Sequence, residues 1–315
     1  MDRIMKELQE NGVEWELNCP LAKHSTLRIG GGADIALFPH STKELCSALA
    51  FLRARDIPTL VIGNGSNVVF PDEGYRGAVV FTGKCREIKV EDGILFADAG
   101  VPLSALSSAA RDEGLSGLEF AFGIPGTLGG AVYMNAGAYG GSMSDVCISS
   151  SYYDVKTGEV KSFFENAQEF GYRTSVYQHQ PERIILGATL QLQKGDRRQI
   201  SETMRTYWEK RRASQPLEMP NAGSTFKRPE GHFAGKLIED CGLKGLTVGG
   251  AQVSKKHAGF IVNVGGATCE DVKRLVAQIQ ATVLQQTGVE LECLMWYMNR
   301  NGMVVHYNPH TQPSH

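Results

Sequence analysis

VIGNGSNVVF, residues 61–70, is the stretch from which the chain's organisation can be worked out. Gly63 and Gly65 flank Asn64, and Ser66 and Asn67 follow before the apolar run resumes. With Thr59 and Leu60 in front, the pattern reads strand, tight turn, strand. A turn of this kind can aim successive backbone N–H groups into one concavity, which suits a pyrophosphate. Ser66 and Asn67 would add side-chain donors. A plain glycine hairpin is the competing reading. The stretch is no Rossmann fingerprint, because Val68 holds the third glycine position and a strand, rather than a helix, follows.

Three further segments carry similar weight. GIPGTLGGAVYMNAGAYGG (123–141) is so dense in glycine that a regular element is not expected there. Bare amides at Gly129, Gly130 and Ala131 and the polar Asn135 suit a backbone wrapped around a ligand. A flexible linker is the alternative, but Ile124, Leu128, Val132, Tyr133 and Met134 are poor linker material. In FGYRTSVYQ (170–178), Arg173 stands among apolar and aromatic residues, so its guanidinium needs an anion or a bidentate acceptor unless it simply lies on a surface strand. In NAGSTFKRPEGHFAGKLIE (221–239), Ser224 follows a glycine and precedes Lys227 and Arg228. A hydroxyl near two cations can donate a proton or bind a phosphate, although an isolated Gly-Ser is also common in turns.

Outward from these motifs, strand runs and helix runs mix without a regular βαβ alternation, which argues α+β. Residues 1–18 read as a short amphipathic helix and lead-in. Leu45, Leu49 and Leu52 share a helical face after Ser41. Asp92-Gly93 signals a hairpin within 78–101, and residues 102–114 read as a helix opened by Pro102 and stopped by Gly114. Ile200 to Arg212 and 233–242 read as helices. Val272, Leu275, Val276, Ile279 and Val283 fit one face of a helix over 269–287, and a final strand is expected over 289–298. Two prolines in ASQPLEMPN mark a boundary near 213–221. The domain reading is 1–20 lead-in, 21–212 first domain in two α+β parts, 213–302 second domain, and 303–315 a frayed tail.

Composition narrows the function. The chain has 315 residues with a formal charge of −2, 42% hydrophobic and 21% charged. That balance is globular and gives no general attraction to nucleic acid or an anionic membrane. No apolar run approaches the ~20 residues of a bilayer span, and the N-terminus lacks a secretory core. Cys19, Cys46, Cys85, Cys147, Cys241, Cys269 and Cys293 are dispersed, odd in number and without a C-x-x-C pair, which points to a reducing compartment, hence the cytoplasm. Neither a zinc ligand set nor H-E-x-x-H appears, so no metal is expected.

Taken in order, GNGSN, GIPGTLGGAVYMNAGAYGG, YRTS, GSTFKRP and GLKGLTVGGAQVSKKHAGFIVN (242–263) resemble the UDP-N-acetylenolpyruvoylglucosamine reductases, from about Leu21 to Tyr297. The short span from YRTS to GSTFKRP looks like the shorter subtype. The resemblance implies a vanillyl-alcohol-oxidase/PCMH-type FAD-binding domain followed by a C-terminal α+β substrate-binding domain. It implies non-covalent FAD held by Gly63, Asn64, Gly65, Ser66, Asn67, Gly123, Gly126, Thr127, Gly129, Gly130 and Ala131, and NADPH as co-substrate. No histidine lies in either loop to link the flavin covalently.

By the same resemblance Ser224 would protonate the substrate, Arg173 would stabilise its carboxylate, and Tyr172, Lys227 and Arg228 would contact the nucleotide. The expected partners are a UDP-sugar and NADPH, with no nucleic acid or membrane and a monomeric chain. One position departs from the family. Its terminal strand runs L-E-P-E-V-R, and the second glutamate belongs to the catalytic set. This chain has Leu291-Glu292-Cys293-Leu294-Met295-Trp296, which puts Leu294 at the glutamate position. Glu292 is two residues, or ~6–7 Å along a strand, from that place. Only a bulge would change the register. Besides an active reductase, a catalytically impaired flavin- or nucleotide-binding homologue and a flavin oxidoreductase for another substrate therefore stay open.

Overall fold

Alternating burial and turn chemistry shape the first half of the molecule. The structure, a computed structural model, describes residues 12–299 and the backbone of 304–306. The expected helix over the first residues and the tail beyond 306 lie outside them. The chain forms two compact units. One comprises the described part of Met1–Leu17 with Ile35–Asn64 and Ala78–Arg211. The other comprises Asn18–Asp34, Gly65–Gly77 and the described part of Arg212–His315.

In the first unit a five-stranded antiparallel sheet runs in the order Val160–Phe164, Cys147–Asp154, Arg183–Gln191, Ile94–Asp98, Ile88–Glu91. The Asp92-Gly93 hairpin forms as expected, with φ of 49° and 81° and Glu91 opposite Ile94. Leu95 and Ala97 enter the core while Phe96 faces solvent, the period-2 pattern of a half-buried sheet. Helix Leu103–Asp112 starts after Pro102 and packs Leu103, Leu106 and Ala110 into that core. Helix Thr42–Arg53 is capped by the Ser41 hydroxyl, which accepts from the Glu44 N–H at 3.2 Å, and it buries Leu45, Leu49 and Leu52 in a separate cluster. A further sheet orders Glu14–Pro20, Gly32–Phe38, Tyr75–Phe81 and Thr59–Ile62, the last two parallel.

The second unit is a four-stranded antiparallel sheet, Asn221–Ser224, Phe260–Asn263, Ala251–Val253, Thr247–Val248. Helix Cys269–Thr287 shares its core. Thr268 and Asp271 make a capping box and Gly288, at φ 72°, closes the other end. The Asp72 carboxylate accepts from the N–H groups of Cys269 (2.8 Å) and Glu270 (3.2 Å), so the segment after the 63–67 turn is tied to this helix.

Three expectations fail locally. Glu14–Pro20 is a strand where a lead-in was expected. Within 123–141 a short helix, Leu128–Tyr133, forms despite its glycines, because Leu128, Ala131 and Val132 are buried and Gly129 lies so close that a Cβ would be 2.9 Å from Ala99 Cβ. Packing overrides propensity there. The final strand shrinks to Trp296–Met298, preceded by a single bridge between Phe226 and Cys293.

Candidate functional site

The 63–67 turn presents a run of open backbone donors. From Gly63 to Asn67, no N–H donates to a carbonyl or side chain among the described residues. Carbonyls are used instead: Gly65 O accepts from the Thr26 N–H (3.2 Å), and Asn67 O from the Trp296 N–H (3.0 Å). Gly65 has φ 59°, and a Cβ there would lie 2.2 Å from the His24 carbonyl, so only glycine fits. The hydroxyl of Thr26, a residue that pattern reading passes over, donates to Asn221 O at 2.6 Å.

In the first unit the two glycine segments meet. The Asn64 side chain donates to Pro125 O at 2.8 Å. A Cβ on Gly63 would stand 2.2 Å from Thr127 Oγ1. That hydroxyl is buried and has no hydrogen-bond partner among the described residues. The Leu128 and Gly129 N–H groups are spent on Val101 O and Ala99 O, and Ala131 N–H on Thr127 O, whereas Gly130 N–H donates to no carbonyl among the described residues. Gly126 O accepts from Leu103 N–H (3.0 Å), and Gly123 packs on Arg211. An orphan hydroxyl and unused amides around a place too tight for a Cβ suit an anionic or polar ligand.

Arg173 is a half-buried cation of this unit. It sits in the left-handed region (φ 58°) of a turn closed by the Gly171–Thr174 bridge. Its carbonyl accepts from Gln178 Nε2 (3.0 Å). The guanidinium donates to Gly137 O (2.7 Å) and Asn135 O (3.3 Å) and lies 5.4 Å from the Tyr172 ring centroid. Burial lowers its pKa from the ordinary value, and no carboxylate pairs with it among the described residues. Asn135 acts as a brace: its amide donates to Gly171 O (2.9 Å) and its Oδ1 accepts from Ser144 N–H (2.9 Å).

In the second unit Ser224 ends strand Asn221–Ser224 and is exposed, with no hydrogen bond holding its hydroxyl among the described residues. Gly223, at φ 75°, precedes it inside a register shift. Next to it runs the terminal segment. Leu294 N–H donates to Thr225 O (2.8 Å) and Lys227 N–H to Glu292 O (2.8 Å), bracketing the Phe226–Cys293 bridge. The pairing of 225–227 with 292–294 is therefore regular, and the shift lies in the pairing of Asn221–Ser224 with 260–262. Asn67 Nδ2 donates to Leu294 O at 3.2 Å, so the 65–67 loop, Ser224's neighbour Thr225 and Leu294 come together. Cys293 and Met295 enter the core, whereas Leu294, 9% exposed, is outside that cluster. The Glu292 carboxylate is taken up by Lys227 at 2.5 Å, on a groove of about 450 Å³ lined also by Arg228, His232 and Glu290. Arg228 lies over the Phe233 ring at 3.9 Å.

The C-terminal-domain model of the UDP-N-acetylenolpyruvoylglucosamine reductases matches residues 215–295, and an FAD binding domain model matches 33–163. A reductase of that name from Syntrophomonas wolfei is 45% identical over 88% of this chain and 92% of its own. One from Alkaliphilus oremlandii is 47% identical over 88% and 90%. The crystal structure of the enzyme of that name from Thermus caldophilus superposes with a TM-score of 0.76 at 34% identity, covering 90% of this chain and 98% of that one.

Proposed function

The chain belongs to the UDP-N-acetylenolpyruvoylglucosamine reductase family, and from that premise we propose that Arg173 and Ser224 carry its chemistry. It is an FAD-dependent, NADPH-driven reductase that converts the enolpyruvyl ether of UDP-N-acetylglucosamine to UDP-N-acetylmuramate for peptidoglycan synthesis. Its FAD-binding domain is of the vanillyl-alcohol-oxidase type. The residues present fit FAD: in the first unit the orphan Thr127 hydroxyl, the Gly130 N–H and the open N–H groups of Gly63 and Asn64 would hold it. When bound, FAD takes hydride from NADPH and supplies it to the substrate's vinyl terminus.

The remaining work falls to side chains. Hydride addition leaves negative charge on the adjacent carbon and its carboxylate. Arg173, held in place by Asn135 and Gly137, stabilises that charge. Ser224, whose hydroxyl is uncommitted, delivers the proton to the carbon. The observation that carries this assignment is the desolvated Arg173 guanidinium, which lacks an anionic partner among the described residues. Tyr172, Lys227 and Arg228 contact the nucleotide in this reading. Functionally the chain divides at 21–212 for FAD and 213–302 for substrate, and it works as a cytoplasmic monomer with no nucleic-acid or membrane partner. No described helix is long and apolar enough to cross a membrane.

Leu294 favours a second reading, an impaired homologue that binds ligands but turns over slowly. A leucine beside Thr225 can neither donate a proton nor hold charge. Anaerobic mixing decides between them. After NADPH bleaches the flavin band, the enolpyruvyl nucleotide restores it in one turnover if the first reading holds. A band that stays bleached contradicts it and supports the second.

A further inference from the structure

One helix grips both ends of the glycine-rich segment. Tyr207, Trp208 and Arg211 of helix Arg197–Ser214 fall at i, i+1 and i+4 and so share a side. At the entry, Trp208 meets Phe122 edge-on, with centroids 6.5 Å apart and planes at 75°. A Cβ on the next residue, Gly123, would stand 2.9 Å from Arg211 Nε and 3.0 Å from its Cδ. At the exit, Tyr139 stacks on Tyr207 (4.4 Å, 12°). The Arg211 guanidinium lies 5.8 Å from the Tyr139 centroid, and the Tyr139 hydroxyl is a hydrogen-bond partner of Arg211. Tyr139 and Gly140 are in the left-handed region, at φ 54° and 91°, a conformation that only surrounding structure holds for a tyrosine.

Arg211 is 8% exposed, a costly place for a charge that a methionine or leucine could fill. Its contacts reach Gly123 and Tyr139 and leave between them Thr127 and Gly130. We propose that Arg211 is a positioning residue: by bridging Gly123 and Tyr139 it preorganises the segment so that the Thr127 hydroxyl and Gly130 N–H meet FAD without rearrangement. The proposal rests on the FAD reading above. Preorganisation appears as affinity, because a loop already ordered loses less freedom on binding.

The test is a double-mutant cycle on FAD affinity, read by quenching of flavin fluorescence on titration into apoprotein, with the apoprotein melting temperature measured alongside. Arg211→Ala weakens FAD about 10-fold or more, and Gly123→Ala does so because its methyl evicts the guanidinium. The double variant is no worse than the weaker single one, since both remove one contact. Leu106→Ala, in the same unit's core, is the comparator: it lowers the melting temperature without matching loss of FAD. Should Arg211→Ala fail to fold, Arg211→Lys and Tyr139→Phe give the same readout with smaller losses. Unchanged affinity, effects that multiply in the double variant, or losses that merely track melting temperature overturn the clasp. A wild-type protein that takes up no FAD overturns the FAD reading as well; normal wild-type uptake with unaffected variants overturns the clasp alone.

Discussion

The glycine segments around Gly63 and Thr127 and the terminal strand around Leu294 answer to different parts of chemistry. The first offers mainly backbone groups. The N–H groups from Gly63 to Asn67 and that of Gly130 have no acceptor among the described residues, those of Leu128, Gly129 and Ala131 are used within the protein, and the fit depends on absent side chains, as at Gly63 and Gly65. The second could contribute only through side chains, and there an apolar residue stands beside Thr225 in regular register. A backbone receptor needs only glycines in the right conformation, so it survives wherever the turn survives. A proton-transfer site is lost with one substitution.

Turnover of the variant Arg173→Ala breaks this comparison hardest. On the role proposed for Arg173, its removal lowers kcat by about 10³-fold, while NADPH still bleaches the flavin at its normal rate. Equal losses in both half-reactions would mean that Arg173 belongs to flavin binding. Gly63→Ala probes the other region. Its methyl collides with Thr127 Oγ1, and FAD binding weakens by about 10-fold, or about 1.4 kcal/mol; unchanged binding would detach Thr127 from the cradle. Leu294→Glu should raise kcat by about 10-fold, through a carboxyl restored beside Ser224's strand. A fall in rate at intact fold would show that the acid function lies elsewhere.

The smallest effect is on stability. Burial lowers the pKa of His257 below its ordinary 6.5, so the folded state favours the neutral ring. The unfolded chain then binds more protons below pH 6.5, and the stability from the neutral ring, present above that pH, is lost as pH falls through the folded pKa. His257→Gln removes that part of the slope in urea-denaturation midpoints measured from pH 7.5 to 5. An unchanged slope would assign it to other groups.

Periodicity made much of the scaffold legible. The 269–287 helix has the expected bounds because Val272, Leu275, Val276, Ile279 and Val283 line one face and Thr268 and Gly288 cap it. Asp92-Gly93 and Pro102 acted through local backbone chemistry, which needs no tertiary context. The helix Leu128–Tyr133 was hidden, because its cause is the close approach to Ala99 rather than any local preference. At the site, residue types were readable but neighbours were not. No spacing rule connects Asn67 to Leu294 across 227 positions, or Arg173 to Gly137 across 36. Asn135, read as a ligand contact, braces the Arg173 turn. Thr26 and Arg211 carry no motif and emerge only when the hydrogen bond of the one to Gly65 and the packing of the other on Gly123 are seen.

Amide hydrogen exchange over residues 59–70, followed with and without FAD, tests the main-chain receptor most directly. The N–H groups from Gly63 to Asn67 have no acceptor among the described residues, so they exchange fast in the apoprotein and slow by at least about tenfold once FAD accepts from them. Equal exchange in the two states, with FAD shown to be bound by its absorption, would contradict the account.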